Sequence, residues 1–286
     1  MKCYELTGRT VVITGSTGGL GSAVALALRQ RGANLALLDL DQTAAAAQAD
    51  ALGGPGVAWA SYADVRDLDS IQTAIDGAAD HFGRIDIVIA NAGVTTVGPM
   101  ATINPDAFER VIDINLTGVW RTFKAAIPHV ERERGYLLAT SSMAAFVHSP
   151  LQGSYTASKA GIWAMCNSIR LEVRHLGIGV GSVHPAFLKT PMMDAVHADP
   201  AGQRLWGGNK RGLWKMVPIE KVVHGIVSGI ERRAETITVR RAHTLIAKAP
   251  GIFRPLIERI GFTTTTITEA SAAASPTGCH RPSSTP

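Results

Sequence analysis

Between residues 10 and 183 the chain alternates short apolar runs, often β-branched, with longer stretches rich in Ala and polar residues, and no other feature limits its fold as strongly. Thr-Val-Val-Ile-Thr over 10–14 predicts a strand that ends in glycines, and 20–30 predicts a helix. Further strands are expected over 35–38, 57–62, 85–90, 136–140 and 178–183. Helices are expected over 42–52, 67–82, 105–129 and 154–175, with Asp67 or Asp69 able to cap the second of them. Strands joined by helices of this length require right-handed crossovers, which generate a parallel sheet covered on both faces. Burial on both faces explains why the strands read as continuous apolar runs. The expected fold is therefore α/β, a doubly wound parallel sheet of about seven strands.

After Thr190 the pattern lapses through 191–217, which contains Pro191, Met192, Met193, His197, Trp206 and Trp214. A structureless insert of that length reads as a lid over a substrate site. A helix over 218–233 and a strand over 236–239 follow, so residues 1–240 form one expected domain. Residues 241–262 combine Arg241, Lys248, Arg254 and Arg259 with Leu245, Ile246, Ile252, Phe253, Leu256, Ile257 and Ile260. This basic amphipathic extension would lie on an anionic membrane surface, close over the substrate site, or pack on its own domain or a second subunit. The tail over 263–286 is mostly Thr, Ser, Ala and Pro and is expected to be disordered.

Composition narrows the classes of function. Of the 286 residues 46% are hydrophobic and 18% charged, a globular composition that excludes a wholly disordered chain. No apolar run approaches the roughly 18 residues of a membrane span, and the first residues lack a signal-peptide pattern. Three scattered cysteines give neither a disulfide framework nor a zinc cage, so a cytoplasmic setting is expected. The nine histidines show no metal-binding spacing, His184 reads as structural, and no metal is expected. Residues 204–259 hold 12 Lys and Arg against 4 Glu, but no nucleic-acid reading motif accompanies that charge, and no nucleic-acid partner is expected.

Thr14-Gly15-Ser16-Thr17-Gly18-Gly19-Leu20-Gly21 joins the first strand to the first helix. Free backbone N–H groups and the helix dipole favour a pyrophosphate there, and glycine lets the backbone approach it. The absence of Lys followed by Ser or Thr argues against a P-loop. Asp39 ends the second strand 18 residues beyond Gly21, where a carboxylate accepts hydrogen bonds from ribose hydroxyls and repels a 2′-phosphate. That reading favours NAD over NADP; in the competing one, Asp39 or Asp41 only caps the next helix. Tyr155 and Lys159, four residues apart, share one helix face, where an ammonium and a cationic nicotinamide would stabilise a phenolate and make Tyr155 a general acid/base. Ser142, at the end of the preceding strand, could hold the same substrate oxygen.

Taken together these residues resemble the short-chain dehydrogenase/reductase family, from about Leu6 to Val239. The family's TGxxxGxG motif matches Thr14, Gly15, Gly19 and Gly21; its Asn-Ala-Gly matches Asn91, Ala92 and Gly93; its YxxxK matches Tyr155 and Lys159; its serine matches Ser142. Asp64, with Val65 expected at the adenine, and Asn115 match two further family positions. The resemblance implies a Rossmann-type fold and proton exchange by Tyr155 on an oxygen held by Ser142. It also implies that Lys159 lowers the tyrosine pKa and binds the nicotinamide ribose, and that Asn115 holds a water linked to Lys159. Ser16, Thr17 and Leu20 join the expected cofactor contacts, as do Pro185 and Thr190, although Pro185-Ala186 departs from the family's Pro-Gly. The compact glycine spacing separates the chain from the extended sugar-nucleotide epimerases. Gln152, Phe187 and Met192 are expected at a hydrophobic secondary alcohol or ketone, and a dimer or tetramer is implied through 105–129 and 154–175. NADP-linked ketoreduction and silent dinucleotide binding are the alternatives.

Overall fold

The computed structural model describes residues 4–210 and 214–274. Seven strands form one parallel sheet in the order 3-2-1-4-5-6-7. They are β1 (Thr10–Thr14), β2 (Asn34–Asp39), β3 (Ala58–Tyr62), β4 (Ile87–Ala90), β5 (Tyr136–Thr140), β6 (Gly179–Val183) and β7 (Thr236–Ile237). β1 pairs with β2 on one side and with β4 on the other, Val12 lying opposite both Ala36 and Val88. The winding direction reverses between β1 and β4, which opens a crevice beyond their carboxyl ends.

Successive strand residues point to opposite faces, and each face carries its own apolar core. Val12, Leu38, Val88 and Leu137 meet α3 (Leu68–Phe82), α5 (Gly118–Arg132) and α6 (Gly153–Val173) through Ile75, Phe123 and Ile162. Ile13, Leu37, Ile89 and Leu138 meet α1 (Gly19–Gln30) and α9 (Ile219–Glu231) through Leu28 and Ile226. The remaining covering helices are α2 (Gln42–Ala51), capped by Asp41, and α4 (Pro105–Ile112), capped by Asn104. Asp67 caps α3 by accepting from the Asp69 backbone N–H at 2.9 Å.

Three expectations need correction. The helix over 105–129 carries a π-turn at Asp113–Thr117 and runs on to Arg132. The 191–217 insert is not structureless: α7 (Pro191–Ala198) and α8 (Pro200–Trp206) occupy its first half. Both are too short to show a periodicity, yet each has a strong start, Thr190 before Pro191 and Asp199 before Pro200. The tail forms a third helix. After α10 (Arg241–Lys248) and α11 (Pro250–Gly261), the chain turns into α12 (Thr264–Ala273), capped by Thr263, and packs on α8. Phe262 and Ala270 lie in one small core with Leu205 and Trp206, and this tertiary contact overrides the polar composition. The expected disorder over 275–286 falls outside the described residues.

Candidate active site

A cavity of about 800 Å³ lies beyond the carboxyl ends of the central strands. Its floor is the glycine turn. Gly15 has φ +63°, and a Cβ there would come 2.8 Å from the Ala92 Cα, so this turn and the Asn91-Ala92-Gly93 run touch backbone to backbone. Thr14 Oγ1 accepts from the backbone N–H groups of Asn91 and Ala92 at 3.1 and 3.3 Å. The Asn91 amide donates to the Gly15 carbonyl at 3.0 Å and accepts from Thr140 at 3.2 Å, tying β1, β4 and β5 together. Helix α1 then starts at Gly19 with no side chain capping it, which leaves its first N–H groups directed at the cavity. A pyrophosphate fits this glycine-walled helix start.

Most of the expected cofactor residues line that cavity: Gly15, Thr17, Gly19, Leu20, Asp39, Asp64, Val65, Asn91, Ala92, Gly93, Pro185 and Thr190. Ser16, Gly21 and Asn115 stand behind its wall instead. Ser16 is buried and its carbonyl accepts from Gln48 at 3.0 Å. Gly21 is a packing position: a Cβ there would collide with the Gly15 carbonyl and lie 2.9 Å from the Asn91 amide nitrogen. Asn115, within the π-turn, is tied to both backbone groups of Val94 at 2.8 and 2.9 Å and to Ser158 at 3.1 Å. Its Oδ1 would lie 3.2 Å from a Cβ on Gly93, and the Lys159 Nζ 3.5 Å from the same point, so Gly93 keeps the space between them open.

The two acids expected at the adenosine, Asp39 and Asp64, have partners within the protein. Asp39 Oδ2 accepts from the Thr17 backbone N–H at 2.9 Å and from its hydroxyl at 2.8 Å, so it braces the glycine turn as well as facing the cavity. The Asp64 carboxylate is held in a fork by Arg66, at 3.0 and 2.6 Å, and the hydrogen-bonded guanidinium keeps its pKa below the ordinary range.

The residues expected to react come together near the start of α6. Ser142 follows β5, accepts from the Ala144 backbone N–H at 3.1 Å, donates to the Pro185 carbonyl at 3.5 Å and lies near enough to Tyr155 to act on its phenol. The Lys159 Nζ sits 5.5 Å from the Tyr155 ring centre and donates to the Thr140 carbonyl at 2.8 Å. Burial holds the Lys159 ammonium down, to about 8, so it is still charged at neutral pH. In the protein alone, burial raises the Tyr155 phenol above its ordinary value, and the neighbouring Ser142 hydroxyl pulls it part of the way back. Lys159, directed at Thr140, does not offset that burial by itself; the expectation paired its ammonium with a cationic nicotinamide.

The sequence marked His184 only as structural, but it buttresses this centre. Its Nδ1 lies 3.1 Å from the Ser142 carbonyl and must carry the proton, so Nε2 accepts from the Ser182 hydroxyl at 2.9 Å. Burial pushes its pKa down to about 4 and keeps the ring neutral.

At the other end of the cavity Gln152 donates to Thr95 at 3.2 Å, and Phe187 packs on Trp206 and Trp214 with ring centres 5.8 and 6.1 Å apart. Met192 stands partly exposed at the mouth. The roof is supplied by α10, α11 and the residues flanking them, through Arg240, His243, Ile246, Ile257 and Phe262, so the extension closes over the cavity, one of the places expected for it. Only the amphipathic pattern of 241–262 signalled it.

A wound parallel sheet with a glycine cradle and a Ser-Tyr-Lys centre at one crevice defines a Rossmann-type oxidoreductase framework. Comparison with known proteins makes the class specific. The short chain dehydrogenase family model matches residues 9–201, and the chain belongs to that family. Oxidoreductase UcpA of Salmonella typhimurium is 37% identical over 195 residues, covering 67% of this chain and 74% of the relative. The (−)-trans-carveol dehydrogenase of Rhodococcus erythropolis is 37% identical over 209 residues, covering 66% and 74%. A short chain dehydrogenase/reductase from Burkholderia phymatum, solved in complex with NAD, has the same fold, with a TM-score of 0.77 and 24% identity over 91% of this chain and 98% of that one.

Proposed function

We propose that the protein is an NAD-linked dehydrogenase that interconverts a hydrophobic secondary alcohol and its ketone. The observation that carries this reading is that Ser142, Tyr155 and Lys159, the last with its Nζ 5.5 Å from the Tyr155 ring centre, line the same cavity as the glycine turn. A nicotinamide dinucleotide, when bound, would accept or supply the hydride. The N–H groups at the start of α1 would bind its pyrophosphate, Asp39 its adenosine ribose, and Lys159 its nicotinamide ribose. Ser142 would donate a hydrogen bond to the substrate oxygen, and Tyr155 would take the hydroxyl proton in oxidation or return it in reduction. With a cationic nicotinamide beside it, the charges of that ring and of Lys159 together would favour the phenolate against the burial that opposes it.

Asp39 supports NAD over NADP, since a 2′-phosphate would lie against a carboxylate that already braces Thr17. Phe187, Trp206, Trp214 and Phe262 support an apolar substrate, and the carveol dehydrogenase likeness makes cyclic terpenoid alcohols the first to try. Exposed Trp120 on α5 and Leu171 on α6 support pairing with a second copy through those helices.

The test is reduction of NAD and of NADP by a panel of apolar secondary alcohols, with Asp39→Ser beside the wild type. NAD should be preferred, and the variant should lose about tenfold or more of that preference, as expected for removing a charged hydrogen-bond acceptor. A wild type faster with NADP would refute the assignment.

A further inference from the structure

Helices α10 and α11 have two working faces. The inner face roofs the cavity with Ile246 and Ile257, and Gly261 lies against Trp214 too closely to admit a side chain. On the outer face Ile252, Leu256 and Ile260 recur every fourth residue and are 74%, 60% and 63% exposed; Leu245 of α10 is exposed as well. Residues this large at helical spacing make one contiguous apolar stripe rather than scattered surface residues.

The charge around that stripe is one-sided. Residues 240–262 hold five Lys and Arg and a single carboxylate, Glu258. Glu258 is turned toward the body of the protein, where it accepts from the His148 backbone N–H at 2.8 Å. Arg259 and Lys248 are exposed, and Arg254 makes only a long ion pair with Glu258, at 3.9 Å. A second copy docked on this face by a two-fold axis would bring cation against cation around its rim, with no outward carboxylate from the segment to answer them. An anionic lipid surface satisfies both the apolar stripe and the cations.

We propose that α10 and α11 are a docking face for an anionic bilayer, lying in its plane with Ile252, Leu256 and Ile260 among the acyl chains and Lys248, Arg254 and Arg259 at the headgroups. Among the described residues no helix is long and apolar enough to cross a membrane, so the attachment is peripheral. The cavity roof would then rest against lipid. The docking does not depend on the redox reading of the site.

The experiment is co-sedimentation of the full chain with phosphatidylcholine vesicles, with and without phosphatidylglycerol, at low and high salt. Binding is expected only with phosphatidylglycerol and should weaken with salt. Ile252→Ser/Leu256→Ser/Ile260→Ser keeps every charge, so its loss of binding, about tenfold or more, separates insertion from simple attraction of a basic protein. Lys248→Gln/Arg259→Gln should loosen binding about fivefold per charge removed. If melting shows that the triple serine variant is unfolded, the single Leu256→Ser variant takes its place. Vesicle binding unchanged by the serine substitutions would overturn the proposal. So would failure of the wild type to bind, together with a dimer in sedimentation velocity that those substitutions break, which would assign the face to a second copy.

Discussion

The two ends of the cavity are built on opposite principles. The cofactor end is made of backbone: the Gly15 turn touching Ala92, the uncapped start of α1, and Thr14 and Asn91 binding three strands into one edge. The roof is made of side chains on short helices, with Phe187, Trp206, Trp214 and Phe262 gathered in a small core of their own. Backbone approach tolerates almost no substitution, whereas an aromatic roof can be repacked with residues of similar size. One end is thus fixed for a common group, and the other is free to be fitted to a particular substrate.

That contrast can be broken by substitution at either end. The largest effect is expected at Lys159→Met, which removes the ammonium beside Tyr155 while keeping the stem; turnover should fall about a hundredfold or more, measured as kcat with NAD. Next comes acid sensitivity at the sheet edge. The folded-state pKa of His184 is about 4 against 6.5 for the free side chain, so the unfolded chain takes up a proton that the folded one refuses. Stability should be full above pH 6.5 and fall by up to about 3 kcal/mol as the pH drops toward 4. Urea unfolding across that range should show a shallower pH slope in His184→Gln than in the wild type.

Gly21→Ala should cost about 1–3 kcal/mol of stability and weaken NADH binding, because the added methyl meets the Gly15 carbonyl. Melting temperature and fluorescence titration would measure both. The smallest effect is expected from Phe187→Leu, a roof change of under about 1.5 kcal/mol. It should shift KM among alcohols several-fold and leave NADH affinity unchanged. Equal losses of NADH affinity from Gly21→Ala and Phe187→Leu would erase the distinction between the two ends.

The same contrast explains what was legible beforehand. Glycines at 15, 19 and 21, the Asn91-Ala92-Gly93 run and the Tyr155/Lys159 spacing are demanded by geometry, so they stand out in the sequence and meet at one crevice. The doubly wound parallel sheet followed from the alternation of elements, because right-handed crossovers leave few ways to wind them. Less visible were roles set by tertiary contact. Ser16 and Thr17 are neighbours in a loop, yet one turns into the core and the other binds Asp39. His184 looks like any buried histidine until Ser182 and the Ser142 carbonyl are seen on either side of its ring. Helix α12 exists because Ala270 fits against α8, a contact between residues about 70 positions apart that no local propensity encodes.

The central claim is that Tyr155 exchanges the proton at a site whose other parts only bind and orient. Its most direct test is Tyr155→Phe, followed both as NADH formation from an alcohol that the wild type oxidises and as NADH binding by fluorescence. Loss of turnover by about a hundredfold or more, with NADH affinity within a few-fold of the wild type, is the predicted result. Turnover retained by the phenylalanine variant would contradict the account.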